Sequence, residues 1–159
     1  MRLGRKEFLE VVARAPLVSI DLIVQRADGR VLLGKRRNEP AKDYWFVPGG
    51  RIHKNETLER AFRRICRDEL GKEFSPADAQ FRGVFEHFYD TNFAEEPGFG
   101  THYVVLAYRL TSAELPDQLP DEQHHDFQWF DPAGILHLDS IHPHTKAYFP
   151  ATRQLGEHP

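Results

Sequence analysis

The sequence predicts a single α/β domain in which a mixed β-sheet carries helices on its faces. Segments with the pattern of β-strands lie on both sides of one strong amphipathic helix, and weaker helical segments lie near both ends of the chain. The chain has 159 residues and a mass of 18.5 kDa, which corresponds to one domain with one core. These three observations favour a domain over residues 1–159 that needs no disulfide or metal ion to fold.

The first part of the chain predicts a short helix, a hairpin and a third strand. Apolar residues at helical spacing precede Pro16, alternating β-branched residues follow it, and Asp28-Gly29 is typical of a tight turn. A short aromatic strand is then stopped by Pro48-Gly49-Gly50, which we interpret as a glycine turn. The predicted ranges are a helix over 5–15 and strands over 17–25, 30–36 and 44–47.

The strongest helix signal follows this turn and covers residues 57–70. Asn55 is the predicted N-cap, and Gly71 stands where a helix-ending glycine belongs. The predicted apolar stripe consists of Leu58, Ala61, Phe62, Ile65 and Cys66. Downstream, the sequence predicts strands over 81–90, 102–110 and 126–130, a loop over 91–100, and helices over 132–137 and 145–154.

Composition and charge exclude several classes of protein. With 21 basic and 24 acidic residues the net charge is −3, which argues against binding to nucleic acid. No apolar segment approaches the ~20 residues of a membrane span, and the N-terminus lacks the apolar core of a signal peptide. Cys66 is the single cysteine, which rules out an intramolecular disulfide and favours a reducing, cytoplasmic compartment. The chain has nine histidines, and because the ordinary pKa of a histidine side chain lies near neutral pH, they are candidates for acid–base chemistry.

Glu69 breaks the pattern of the strongest helix. It follows Ile65 by four residues, in line with the apolar stripe, and it lies in the last turn, where the helix dipole disfavours a carboxylate. Two interpretations stay open: Glu69 is solvated at an exposed helix end, or it holds a divalent metal ion. Arg51 favours the second, because it follows Gly49-Gly50, where the backbone could approach a ligand, and arginine binds phosphate with two hydrogen bonds.

These segments together resemble the Nudix hydrolases, whose signature is G-x5-E-x7-R-E-U-x-E-E-x-G-U with U an aliphatic residue. The signature positions that match at the right spacing are Gly50, Glu56, Arg64, Glu69 and Gly71. The resemblance implies an α/β/α sandwich with a mixed sheet and a loop–helix–loop motif, and it implies metal-assisted hydrolysis of a nucleoside diphosphate derivative. Two signature carboxylates are changed: Ile65 replaces the glutamate that follows the arginine, and Asp68 replaces the glutamate before Glu69.

The chain is most similar to the GDP-mannose mannosyl hydrolases within that family. The similarity extends beyond the signature, through the segments 16–21, 32–36, 44–51, 87–93, 101–105, 119–124 and 147–149. In those enzymes water attacks C1 of the sugar with inversion and GDP leaves, whereas other Nudix enzymes break a P–O bond. The resemblance therefore implies a GDP-sugar substrate, GDP-mannose first and GDP-glucose second, and a homodimer.

The same resemblance assigns roles to individual residues. It makes His124 the general base, with His125 as the competing residue if the loop 121–126 shifts in register. It implies Mg²⁺, with Mn²⁺ as a substitute, held by Glu69, a backbone carbonyl of Gly49 or Gly50, and the side-chain oxygen of Gln123. Around the reacting bond the resemblance implies Arg36, Arg51, Arg64 and Tyr103. At the sugar it implies Asp21 and His87, and near the nucleotide it implies Glu7 and Phe8.

Ordinary interpretations exist for most of these residues. Arg64 and Asp68 form an i,i+4 pair that is common on helix surfaces, Glu56 could simply cap the helix, and Phe8 could belong to the core. Two other functions also stay open at this point. The first is a conventional Nudix pyrophosphatase that cleaves at phosphorus, and the second is a Nudix-fold module that binds a nucleotide sugar without turnover.

Overall fold

The computed structural model describes residues 2–111, 115 and 124–149, and at positions 124 and 125 it describes the backbone alone. A 3₁₀ turn at Pro76–Asp78 separates the long helix from the later strands. The helices are α1 (Arg5–Arg14), α2 (Leu58–Leu70), α3 (Pro132–Ile135) and α4 (Pro143–Lys146). The strands are β1 (Leu17–Gln25), β2 (Val31–Arg36), β3 (Trp45–Phe46), β4 (Gly49–Arg51), β5 (Gln80–Tyr89), β6 (Thr101–Thr111) and β7 (His124–Phe130).

The seven strands form one mixed sheet, as the sequence predicts. The strand order is β3-β2-β1-β6-β5, with β4 paired to β1 and β7 paired to β2. The pairing of β1 with β6 is parallel from Leu17 opposite Tyr103 to Gln25 opposite Thr111, and the other pairings are antiparallel. Because β1 lies at the centre, its residues can meet side chains from β4, β6 and the helices.

Helix α2 begins and ends with two different capping devices. The hydroxyl of Thr57 accepts a hydrogen bond from the backbone N–H of Arg60, and Gly71 ends the helix in the left-handed conformation at φ 77°. The prediction for Gly71 is confirmed. The prediction of Asn55 as the N-cap is wrong, because Asn55 itself has φ 70° and lies in the turn before the capping residue.

Helices cover both faces of the sheet and create two apolar clusters. The apolar stripe of α2, including Phe62 and Ile65, packs against Ile20 and Leu22 of β1 on one face. On the other face, Ile135 of α3 and the segment around Ile141 pack with residues of β1 and β2. The predicted mixed sheet with helices on its faces is therefore confirmed.

The structure differs from the sequence predictions in four local details. Gly49-Gly50 is not a turn, because both residues belong to β4 and pair with β1. Helix α3 stops at Ile135 rather than at 137. Helix α4 covers Pro143–Lys146 instead of 145–154: residues 147–149 are not helical, and residues 150–154 lie outside the described part. His124 opens β7 instead of lying in a loop, with its backbone opposite Arg36.

None of the helices that the structure describes is both long and apolar enough to cross a lipid bilayer.

Candidate functional site

A cleft of about 530 Å³ lies where α1, α2 and the centre of the sheet meet. It collects residues that lie far apart in the sequence, between Arg2 and Tyr103, which the sequence could place only by resemblance. The predicted site residues that line it are Phe8, Asp21, Arg36, Gly49, Gly50, Arg51, Arg64, Glu69, His87 and Tyr103.

The two glycines allow β4 to lie directly against its neighbours. A Cβ atom on Gly49 would overlap Oδ1 of Asp21 and lie 2.6 Å from the carbonyl oxygen of Ile20. A Cβ atom on Gly50 would lie 3.1 Å from Cγ1 of Ile65. The glycines are therefore needed because a helix and a strand both approach this backbone closely.

Glu69 is buried at the floor of the cleft, with 6% of its surface exposed. Its carboxylate accepts a hydrogen bond of 3.3 Å from the backbone N–H of Gly49. The alternative of a solvated Glu69 at an exposed helix end is therefore wrong. Burial follows from the periodicity of α2, since Glu69 continues the stripe of Phe62 and Ile65.

The donors around Glu69 suit one hard divalent cation. The carboxylate of Glu69 and the backbone oxygens of Gly49 and Gly50 are oxygen ligands of the kind that Mg²⁺ prefers, and substrate phosphates and water usually complete its octahedron. Across the described ranges, no three His, Cys, Asp or Glu residues form a ready-made metal cluster. The residues present thus fit a reduced, single-ion site, in which Glu69 and the glycine backbone would hold the ion.

Glu56 and Arg64 form a half-buried ion pair beside this floor. Nε and Nη2 of Arg64 donate to the two carboxylate oxygens of Glu56 at 2.7 and 2.9 Å, and Nη2 also donates to the carbonyl oxygen of Arg51 at 2.8 Å. The hydrogen bonds from Arg64 lower the pKa of Glu56 to about 2. Asp68 lies farther from Arg64, at 3.6 Å. Arg64 therefore ties the loop before α2 to the end of β4.

An aromatic and cationic group forms the end of the cleft next to α1. The guanidinium of Arg51 lies 4.4 Å from the ring centroid of Phe8, and Phe8 stacks on Phe93 at 5.0 Å. Burial lowers the pKa of Arg51, which nevertheless stays a cation at neutral pH. Phe8 lines the cleft, as predicted for a residue near the nucleotide. Glu7 is exposed, accepts a hydrogen bond from the N–H of Gly4, and is not among the cleft residues.

Arg36 and two tyrosines line the wall between these groups. Nε of Arg36 donates to the carbonyl oxygen of Pro40 at 2.8 Å, and its charge acts on Tyr103 and on Tyr89. Burial raises the pKa of both tyrosines, so that their hydroxyls stay protonated. The wall therefore offers one fixed cation and two neutral hydroxyl groups to a ligand.

Asp21 and His87 are joined through a third residue, Tyr148. The Tyr148 hydroxyl lies 2.5 Å from Oδ2 of Asp21 and 3.3 Å from Nε2 of His87. Burial raises the pKa of Asp21 to about 7, although Tyr148 and Arg36 oppose this shift. Burial lowers the pKa of His87 to about 3, and the nearby histidines add to the effect. His87 is therefore a neutral ring at physiological pH.

Sequence reasoning missed several of these neighbours. The sequence assigns no role to Tyr148, His142 or His144, although His144 stacks on His87 at 4.3 Å. No local signal links Tyr148 to Asp21, because 127 residues separate them. Tyr89 had a usable signal, since it lies two residues after His87 in β5 and so projects to the same face of the sheet.

Two predicted residues cannot be placed by their side chains. Gln123 lies outside the described residues, and the side chain of His124 does too. The backbone of His124 is described, and it lies opposite Arg36 at the first position of β7.

Comparison with known proteins gives a consistent picture of the whole chain. The sequence model of the NUDIX domain matches residues 15–152. The low-salt glycan biosynthesis protein Agl8 of Haloferax volcanii is 41% identical over 152 residues, which cover 94% of this chain and 90% of Agl8.

Solved structures agree with the sequence comparison. The MutT NUDIX hydrolase of Burkholderia pseudomallei is 26% identical, with a TM-score of 0.67 over 88% of this chain and all of that chain. A bifunctional NMN adenylyltransferase/ADP ribose pyrophosphatase of Francisella tularensis, solved with AMP and a manganese ion, shares the fold at 20% identity and a TM-score of 0.61, over 89% of this chain and 42% of that one. The sheet with its glycine-bordered helix and the family match over residues 15–152 lead to one conclusion: this chain belongs to the Nudix hydrolase family.

Proposed function

We propose that this Nudix hydrolase converts a GDP-sugar, GDP-mannose first and GDP-glucose second, into GDP and the free hexose, by attack of water at C1 of the sugar with inversion. Nudix hydrolases act on nucleotide sugars and ADP-ribose-type substrates, and they generally use divalent metals such as Mg²⁺ or Mn²⁺. Within this general chemistry, the bond proposed to break is the one between C1 of the sugar and the diphosphate oxygen. The glycan biosynthesis in the name of Agl8 is compatible with a sugar-containing substrate.

The buried side chain of Ile65 is the observation that carries this choice. Ile65 is 1% exposed and packs on Gly50, at the signature position where most Nudix enzymes have a carboxylate. Glu69 is thereby left as the buried carboxylate of α2. Attack at phosphorus in this family relies on several metal-bound carboxylates, so a depleted set favours attack at carbon.

The arrangement of charges in the cleft supports the same reaction. Cleavage at C1 develops positive charge on the sugar and negative charge on the departing diphosphate. The negative charge on the diphosphate would be stabilised by three groups that line the cleft: Arg36, Arg51 and the Tyr103 hydroxyl. The nucleotide would lie near Phe8 and Arg51, which contact each other. Mg²⁺, when bound, would add a further positive charge at the leaving group. Asp21 and His87 would accept hydrogen bonds from sugar hydroxyls.

His124 is the proposed general base, supported by the position of its backbone. Its Cα lies opposite Arg36, a residue of the cleft wall, so the base would lie at the edge of the reacting site. A neutral imidazole can take a proton from water at physiological pH. Gln123, the preceding residue, is the proposed additional oxygen ligand of the metal ion.

The assembly and location are also part of the proposal. A homodimer is supported by the resemblance to GDP-mannose mannosyl hydrolases, and a cytoplasmic location by the single cysteine, Cys66, which is buried. Light scattering on the purified protein would give the mass: one chain is 18.5 kDa, and a monomer at micromolar concentration would contradict the dimer.

A conventional pyrophosphatase remains the second candidate because of Asp68. Asp68 lines the cleft next to Glu69, so two consecutive acidic residues border the same cleft. Hydrolysis of GDP-mannose with Mg²⁺ in ¹⁸O-labelled water separates the two reactions. We expect the label in mannose and none in GDP. Label in GMP or mannose 1-phosphate would overturn the proposal in favour of the pyrophosphatase, and binding without turnover would favour a binding module.

The role of His124 is tested by paired variants. We expect His124→Gln to lower kcat by about 100-fold to 10,000-fold, as for loss of a general base, with little change in KM. His125→Gln is the matched control and should keep most of the activity. A reversed pattern would assign the base to His125, and an undiminished rate in both variants would remove the proposed mechanism.

A further inference from the structure

Tyr148 links two cleft residues, Asp21 and His87, that lie on different strands of the sheet. Asp21 lies in β1, His87 lies in β5, and Tyr148 follows α4 on the face of the sheet that is opposite α2. The Tyr148 side chain is 9% exposed, His87 is 3% exposed, and the hydroxyl lies between Oδ2 of Asp21 and Nε2 of His87. Tyr148 itself is not among the residues that line the cleft, whereas both of its partners are.

The number of hydrogen atoms available to Asp21, Tyr148 and His87 restricts the directions of the hydrogen bonds between them. A tyrosine hydroxyl has one hydrogen to donate. The 2.5 Å contact to Asp21 has the length of an O–H donating to a carboxylate, while the contact to His87 is longer at 3.3 Å. Above pH 7, where Asp21 is ionised and can only accept, the hydroxyl therefore donates to Asp21 and has only its lone pairs left for His87. Nε2 of His87 must then carry the hydrogen.

Other contacts hold the two rings in place. The ring of Tyr148 packs edge-on against Phe85 at 4.7 Å, and the ring of His87 stacks in parallel on His144 at 4.3 Å. Nε2 of His144 donates to the carbonyl oxygen of Phe88 at 3.0 Å, which holds the His144 ring in place. His87 thus has little freedom to turn and exchange its two nitrogens.

We propose that Tyr148 is a positioning residue that fixes His87 as the Nε2–H tautomer, so that Nδ1 is an acceptor for a hydroxyl group of the ligand. With the carboxylate of Asp21, the cleft then has two adjacent acceptors at this end and selects ligands that donate from neighbouring hydroxyls. The identity of that ligand as a sugar rests on the proposed function, whereas the tautomer of His87 does not.

Nitrogen NMR of ¹⁵N-histidine-labelled protein tests the tautomer directly, without substrate or metal ion. At pH 8.5 we expect His87 in the wild-type protein to have a protonated Nε2 and an unprotonated Nδ1. In Tyr148→Phe, which keeps the ring and its packing, we expect the Nδ1–H form to become populated. Tyr44→Phe is the matched control, because it removes a hydroxyl from a tyrosine that is 40% exposed and should leave the spectrum of His87 unchanged.

The wild-type spectrum keeps the proposal falsifiable even if Tyr148→Phe fails to fold. An Nδ1–H tautomer in the wild-type protein would overturn it. So would an unchanged tautomer in a folded Tyr148→Phe protein, because the ring contacts alone would then explain the orientation of His87.

Steady-state kinetics with GDP-mannose as substrate and GDP as inhibitor test the consequence for ligand selection. We expect Tyr148→Phe to raise KM for GDP-mannose by about 3-fold to 30-fold, as for the weakening of one or two hydrogen bonds, and to leave inhibition by GDP unchanged. If Tyr148→Phe weakened the interaction with GDP-mannose and inhibition by GDP equally, the variant would have a general structural defect, which would contradict a positioning role. If GDP-mannose is not a substrate at all, the proposed function fails, while the NMR result still decides the role of Tyr148.

Discussion

At the scale of single residues, Glu56 and Arg64 form a largely buried ion pair that supports the cleft. Both side chains are mostly buried, at 16% and 21% exposure, and two parallel hydrogen bonds join them. Burial limits screening by water and salt, so the pair is worth more than a typical surface pair. Its position between the loop before α2 and β4 makes it a support for the floor of the cleft.

Replacing Glu56 by Gln should change how stability depends on pH. The native pKa of Glu56 is about 2, below its ordinary value of 4.5, so its carboxylate stabilises the fold above pH 4.5 and loses this contribution as pH falls toward 2. We expect Glu56→Gln to lower the free energy of unfolding by on the order of 2–3 kcal/mol at pH 7, and the difference from wild type to shrink at low pH. Urea unfolding across this pH range measures it.

Glu59→Gln is the control for that experiment, because Glu59 pairs with Arg63 on the exposed face of the same helix. Its loss should cost well under about 1 kcal/mol at any pH. An equal and pH-independent effect in both variants would contradict the special role of the Glu56–Arg64 pair.

Strand β4 shows at the level of elements why two glycines precede α2. A strand of three residues lies between β1 and α2, close enough that Gly49 meets the side chain of Asp21 and Gly50 meets Ile65. The buried carboxylate of Glu69 then accepts a hydrogen bond from the same strand. The close packing of these elements therefore forms the floor of the cleft.

Gly49→Ala should separate β4 from β1. The added Cβ would meet the backbone carbonyl of Ile20 at 2.6 Å, and backbone cannot rotate away as a flexible side chain can. We expect a loss of about 1–3 kcal/mol in the free energy of unfolding, measured by urea denaturation. Gly134→Ala is the matched control, since nothing lies within 4 Å of its Cβ position. A Gly49→Ala protein as stable as the control would show that β4 can shift at little cost.

At the scale of the whole molecule, α2 is held to the sheet by one large aromatic contact among its apolar residues. Phe62 is fully buried and packs edge-on against Tyr108 of β6 at 5.1 Å. Because α2 carries Arg64 and Glu69, the same contact sets the distance between these residues and the side chains that the sheet presents.

Phe62→Ala should therefore destabilise the protein by about 3–5 kcal/mol, as deletion of a buried aromatic ring leaves a cavity. The shift in thermal or urea unfolding measures this cost. Phe81→Ala is a suitable control, because Phe81 contacts the same Tyr108 at 5.3 Å but is 53% exposed. We expect it to cost much less, and similar losses in both variants would contradict the assignment of Phe62 to the core.

The sequence by itself determined the fold class and the architecture of α2. The period of the apolar residues predicted the long helix and aligned Glu69 with its apolar stripe, because helical geometry repeats every 3.6 residues and is visible locally. Gly71 predicted where the helix ends. The burial of Glu69 stayed open until the structure showed it. The alternating segments likewise predicted most strands. The cap at Asn55 and the glycine turn were wrong, since a backbone turn and a short strand pairing are both decided by neighbours that local spacing does not reveal.

Only the tertiary structure decided which residues meet at the cleft. The sequence named Asp21 and His87 through a resemblance, but their connection through Tyr148 depends on a residue 127 positions from Asp21. The parallel pairing of β1 with β6, and the return of the chain after α4 across the sheet, bring these side chains together. Such long-range contacts follow from burial of the two apolar faces, a property of the whole chain that no local pattern records.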